Sequence, residues 1–319
     1  MKKFPLYIFI CLSLLTSAVW AQTGTTETQL TKVEPSPLNG FTYPYFLYVP
    51  PAVRDAKDRK PIQTILVLPN NTGQLDDDLN VHEEAITRRT GQYIDMASKL
   101  ECIVLVPVFP RPKTDWKIYT HALDRDSLIT DKKEYSRFDL QLIAMIDHAR
   151  VTLKKSGIKT DKRILISGFS AAGMFSNRFA FLHPDRVKAA SVGSPGGWPI
   201  APAETYNGKN LRYPIGLADI REVSHRSVNM KLLRKVPFFI YIGDQDDNDS
   251  LPFGDGYEEE DKDLVFALFG KTPVERWEIS KNLYRENGLS AEFKMYPGIK
   301  HIVTPEMRSD LIAFLKAHK

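Results

Sequence analysis

The sequence predicts an α/β protein built on a mainly parallel central sheet flanked by helices, and three observations carry that expectation. Short apolar runs at 62–68, 102–106 and 236–242 have the continuous hydrophobicity of strands covered on both faces. The stretch 136–155 places Leu142, Ile146, Ala149 and Leu153 at helical spacing, and 90–100, 174–182, 273–286 and 304–317 also read as helices. The two kinds of segment alternate along the chain, which is the order of strand–helix–strand units rather than of hairpins.

The first residues read as an export signal. Lys2 and Lys3 precede an apolar core at 6–15, and Val19-Trp20-Ala21 supplies small residues where a signal peptidase cuts, so 1–21 is expected to be removed and Gln22 to become the first residue. The core is shorter than the ~20 residues that a spanning helix needs, so no membrane span is expected after cleavage. The protein is therefore expected to be secreted or periplasmic. Residues 22–40, rich in Thr, Ser, Pro and Gly, read as an exposed leader. The folded domain is expected to run from 41 to 319.

Without the two lysines of the signal, the charge balance falls from +4 to +2, with 41 basic residues against 39 acidic ones. No basic cluster stands out, so a nucleic-acid partner is not expected. Of the two cysteines only Cys102 lies outside the signal, which excludes an internal disulfide and a cysteine metal site from the mature chain. About 300 residues suffice for one large α/β domain.

In chain order, 43–49 is aromatic and β-branched and ends at Pro50-Pro51, as an early strand would. The run 62–68 leads into the polar loop Pro69-Asn70-Asn71-Thr72-Gly73. Helix 90–100 and strand 102–109 follow, then a mixed surface excursion over 113–134. Ser136 and Asp139 are spaced as a capping box for the helix after them. Strand 164–167 enters Gly168-Phe169-Ser170-Ala171-Ala172-Gly173, a tight turn before a helix, and 187–192 is the next strand. Residues 194–222 lack regular pattern, and their aromatics suggest a substrate wall. Strand 236–242, helix 273–286, strand 291–296 and helix 304–317, with Pro305 in its first turn, complete the chain.

Ser170 is the candidate nucleophile, because a strained strand-to-helix turn lifts a serine Oγ clear of a sheet. A serine hydroxyl attacks only with a base to take its proton and a carboxylate to orient that base. Residues 240–249 supply several carboxylates after a late strand, with Asp246 preferred and Asp247 second. His301, beyond the last strand, is the base. The backbone amide of Ala171 and one from the loop after strand 62–68, Asn71 or Thr72, are placed to hold the oxyanion. Asp244-x-Asp246-x-Asn248 opens like a calcium loop, but its sixth position is Asp249 and its twelfth is Asp255. Segments 76–78 and 258–263 read as solvated acidic faces. Trp116, Trp198 and Tyr206 are candidates to touch an aromatic or sugar group, or to pack in loops over the core.

The turn at 168–173, Gly243-x-x-Asp246 and the late His301 together resemble the α/β-hydrolase superfamily, especially secreted esterases of the feruloyl-esterase and polyhydroxybutyrate-depolymerase kind. That resemblance spans about residue 41 to the end. It implies a serine-hydrolase mechanism without a cofactor, acting on a small-molecule or polymer-linked ester. One departure is visible: the usual turn is Gly-x-Ser-x-Gly, and here Ala172 takes the second glycine position. A serine peptidase of the same fold, or a noncatalytic carbohydrate- or partner-binding protein on that scaffold, are the alternatives.

Overall fold

A computed structural model describes residues 29–55 and 62–319. The proposed signal, 1–21, and residues 22–28 of the leader lie outside the described residues. The chain forms one eight-stranded sheet in the order β1 (Thr31–Val33), β2 (Tyr45–Tyr48), β4 (Ile103–Pro107), β3 (Ile65–Val67), β5 (Ile164–Phe169), β6 (Val187–Gly193), β9 (Phe238–Gly243) and β10 (Ala291–Tyr296). A separate two-residue hairpin, β7 (Thr205–Tyr206) and β8 (Lys209–Asn210), lies in the long segment after β6. Strands β1 and β2 run antiparallel to their neighbours, and every pairing from β4 to β10 is parallel. Because β1 pairs with β2 through Thr31↔Leu47, the fold starts earlier than the expected residue 41, and part of the supposed leader is an edge strand.

Period-two alternation divides the apolar strand residues between two cores. Ile65, Val67, Ile164, Ile166, Phe238 and Ile240 face one core, which is closed by helices Phe138–Lys155, Ala171–Leu182 and Trp277–Glu286. Leu66, Val104, Leu165 and Phe239 face the other, closed by helices Thr90–Leu100 and Pro305–Ala317. Covering both faces is what makes these strands continuously apolar. Cys102 is fully buried, and burial pushes its thiol up to about 12.

Several local expectations are corrected. Ser136 and Asp139 form no capping box: the residue before helix Phe138–Lys155 is Arg137, at φ +55° and without a side-chain cap. Asp139 turns inward, and accepts hydrogen bonds from Arg137 Nε and Nη2 at 3.0 and 2.8 Å. Segment 258–263 is not simply a solvated face. Glu258 and Asp261 cap helix Glu259–Leu268, and Asp261, almost fully buried, receives Arg212 Nε at 2.6 Å. Helix Leu79–Thr87, started by the Asp78 side chain on Asn80 N–H, has no counterpart in the sequence reading.

Candidate active site

In a parallel sheet the loops that leave the carboxyl ends of the strands meet along one edge, so residues far apart in sequence gather there. The loops after β3, β5, β9 and β10 carry Asn71, Ser170, Asp246 and His301 respectively. Ser170 directly follows β5 and adopts φ +60° and ψ −128°, a backbone conformation that side chains avoid and that persists only where surroundings impose it. Its amide is fixed to Gly193 O at 2.9 Å. A Cβ on Gly168 would lie 2.0 Å from Ala172 O, so only glycine allows the helix to turn back this tightly over the strand. The turn forms with Ala172 in place of the usual glycine; Ala172 is nearly buried and contributes to the cavity wall beside Ser170.

Asp246 follows β9, and its carboxylate faces His301 Nδ1 at 3.0 and 2.9 Å. Asp247 is exposed on the same loop. Asp246 Oδ1 also accepts Asn248 N–H at 3.0 Å, which fixes the acid. The acid and histidine loops are laced together: Asp244 N–H reaches Tyr296 O, Gln245 N–H reaches Ile299 O, and Gly298 N–H reaches Asp244 Oδ1. A Cβ on Gly243 would lie 2.0 Å from Ile299 O, which explains glycine at the end of β9. Asp249, the next acid along, points elsewhere and pairs with buried Arg276 at 2.8 Å. The acidic run is thus divided among three separate partners.

The His301 ring packs on Phe169, the neighbour of Ser170, with centroids 4.7 Å apart. Since Nδ1 serves Asp246 as donor, the neutral ring keeps the lone pair of Nε2. His301 and Ser170 line the same cavity, of about 820 Å³. Among the described residues no hydrogen bond joins them.

On the other side of Ser170, Asn71 Nδ2 donates to Phe169 O at 3.4 Å, so the loop after β3 touches the serine turn. The amide of Ala171 opens helix Ala171–Leu182, where the first N–H groups have no acceptor within the helix. The cavity wall is apolar at Leu68, Tyr93, Met96, Trp116 and Phe253. A polar strip crosses it, in which Arg111 Nη2 donates to Asp255 Oδ2 at 3.0 Å and the guanidinium lies over Tyr119 at 4.3 Å. Burial raises the Asp255 carboxyl above its ordinary range, with Arg111 opposing the shift.

The expected substrate wall at 194–222 is corrected. Trp198 is buried against Phe269, with centroids 4.1 Å apart, and Tyr206 packs on the same ring at 5.1 Å. Buried Tyr213 gives its hydroxyl to Leu123 O. Trp198 and Tyr206 build a small third core and Tyr213 joins the main one, so none of them lines the cavity. The excursion at 113–134 does supply Trp116 and Tyr119 to the cavity, and the loop after β9, which the sequence reading weighed only for its acids, supplies Asn248, Ser250, Phe253 and Asp255.

No protein-family model matches the chain, and no curated protein sequence matches it. Solved structures do. Poly(aspartic acid) hydrolase-1 from Sphingomonas sp. KT-1 is similar over 89% of this chain and 97% of its own, at 17% identity and a TM-score of 0.58. The poly(3-hydroxybutyrate) depolymerase LpqC from Bordetella parapertussis aligns over 91% and 90%, at 16% identity and a TM-score of 0.57. An S-formylglutathione hydrolase from Agrobacterium tumefaciens aligns over 91% and 93%, at 16% identity and 0.50. This chain has the α/β-hydrolase fold.

Within that α/β-hydrolase frame, His121 is a residue that the sequence analysis did not single out. His121 is fully buried beneath the loop after β3, with Nδ1 at 3.4 Å from Thr72 N and Nε2 at 2.8 Å from Phe109 O. The signal available was a histidine in the excursion after β4, the strand that lies next to β3. Its partner Asn70 sits in the very loop that the reading singled out.

Proposed function

We propose that this protein is a serine hydrolase that cleaves carboxylic esters through an acyl-enzyme on Ser170. One observation carries the reading: an aspartate–histidine pair with a free ring nitrogen opens on the same cavity as a serine held in a strained strand-to-helix turn. His301 Nε2 takes the Ser170 hydroxyl proton as Oγ bonds to the ester carbonyl carbon. Asp246 keeps Nδ1 protonated and stabilises the imidazolium. The carbonyl oxygen becomes an oxyanion, held by the amides of Ala171 and Asn71. The tetrahedral species then expels the alkoxide, which leaves as alcohol with the proton from His301. Water, deprotonated by the same histidine, hydrolyses the acyl-enzyme.

The missing Ser170–His301 hydrogen bond is compatible with this sequence, since such contacts tighten when substrate fills the site. The apolar wall suits an apolar acyl or alcohol group, on a small molecule or a polymer end. The export segment at 1–21 supports action outside the cytoplasm. Replacing Ser170 with alanine should abolish turnover of short p-nitrophenyl esters and labelling by a fluorophosphonate, with an unchanged circular dichroism spectrum. Undiminished turnover in the folded variant rules the reading out, and turnover of peptide amides in preference to esters would make the enzyme a peptidase.

A further inference from the structure

We infer that His121 is a positioning residue that, together with Asn70, holds the Asn71 amide where the oxyanion forms. This rests on the serine-hydrolase reading above. Asn70 is almost fully buried and grips Phe109 at two points: Nδ2 donates to Phe109 O at 2.8 Å, and Oδ1 accepts Phe109 N–H at 3.0 Å. That grip ties the start of the loop to the chain just beyond β4. One residue past Asn71, the Thr72 amide lies 3.4 Å from His121 Nδ1. An amide can only donate, so Nδ1 must be the accepting nitrogen, and Nε2 must carry the proton that it gives to Phe109 O at 2.8 Å. The two contacts require one and the same tautomer. Asn70 Nδ2, 3.2 Å from His121 Nε2, is a second donor to that carbonyl, which has two lone pairs. Burial keeps the ring neutral by pushing its ionisation down to about 3.

The consequence for the loop is a choice between two amides. Thr72 N–H is turned inward and occupied by His121, so it is not available to substrate. Asn71 lies between two anchored residues, its side chain reaches Phe169 O, and its carbonyl receives Arg89 Nη1 at 3.4 Å. Among the described residues its own amide has no hydrogen-bond partner. His121 thus fixes the direction of the Asn71 N–H without touching substrate itself.

The test compares His121→Asn with His121→Gln. Asparagine places an oxygen near the position of Nδ1 and can still accept Thr72 N–H, whereas glutamine reproduces the Nε2 donor and loses the acceptor. His121→Gln should lose ten- to hundredfold in kcat with KM changed less than about threefold, in keeping with a misdirected oxyanion donor. Its affinity for phenylboronic acid, which becomes tetrahedral on a serine Oγ, should weaken by the same factor. His121→Asn should stay within about threefold of wild type on both measures. A folded His121→Gln with wild-type kcat and boronate affinity overturns the role of His121 alone. A wild type that neither hydrolyses esters nor binds the boronate overturns the hydrolase reading together with it. If the glutamine variant does not fold, the imidazole ¹⁵N shifts of the wild-type protein decide: the Nε2-protonated tautomer is expected, and an Nδ1-protonated ring overturns the inference.

Discussion

Helix Ala171–Leu182 has an aspartate–histidine pair near each end, and their surroundings differ in the one respect that matters for proton transfer. At the amino end, His301 uses only Nδ1, on Asp246, and its side chain keeps 22% of its surface exposed against 1% for the acid. At the carboxyl end, His183 and Asp139 are both fully buried, 2.8 Å apart through Nε2. Arg226 Nη1 donates to the remaining His183 nitrogen at 3.1 Å, and Arg137 donates to both carboxylate oxygens, sharing Oδ2 with His183. Both ring nitrogens of His183 are thereby engaged. A histidine with no free lone pair and no cavity cannot serve as a base, whereas it can fasten the end of one helix to the start of another. An aspartate–histidine contact in itself is therefore neutral between catalysis and architecture; the second ring nitrogen decides.

The largest effect expected from breaking this comparison is at Asp246. Asp246→Asn leaves the loop contacts nearly intact but favours the wrong tautomer of His301, so kcat for ester hydrolysis should fall about 10⁴-fold. That corresponds to about 5 kcal/mol of transition-state stabilisation. The melting temperature should move by only a few degrees. A loss below tenfold in kcat would make this pair as architectural as the other.

At Asp139 the balance reverses. Asp139→Asn leaves Arg137 without its ion-pair partner and weakens the contact to buried His183, which should cost about 3 kcal/mol of stability. Urea denaturation measures it. Turnover per folded molecule should stay within about twofold of wild type, because none of these groups lines the cavity. A variant of unchanged stability and lost activity would exchange the two assignments.

The alternation of apolar runs and helical patterns was enough to read the sheet, because strands covered on both faces leave an unambiguous hydrophobic signature. The order of Ser170, Asp246 and His301 was legible for a related reason. Each follows a strand, and parallel strands deliver their loops to one edge. Side-chain partners were not legible in the same way. Asp139 looked like a cap from its spacing to Ser136, yet its partners Arg137 and His183 satisfy it in the interior. Trp198 and Tyr206 looked like a binding wall, since nothing in a patternless segment tells an aromatic facing a cavity from one stacked on Phe269. His121 passed as unremarkable, because its meaning depends on lying beneath a loop 49 residues away. Contacts between loops are set by where strands end in space, which local spacing does not encode.

The smallest expected effect is also the most specific. Burial alone would raise the Asp139 carboxyl, but hydrogen bonds from His183 and Arg137 outweigh it and carry the group down to about 2. An unfolded aspartate titrates near ~3.9, so between those values the unfolded chain binds more protons than the folded one, and stability rises with pH. The contribution of Asp139 is therefore fully present above pH ~4 and is lost as pH falls through the folded value, by an amount on the order of 2 kcal/mol. Other carboxylates titrate over the same range, so wild type alone cannot isolate it. The difference between wild type and Asp139→Asn can. The gap between their urea midpoints should be constant from pH 7 to 5 and narrow from pH 4 downward. A gap that holds its full width to pH 2.5 would mean that the Asp139 carboxyl is not held down by its partners, and the pair would lose its role as a charged staple.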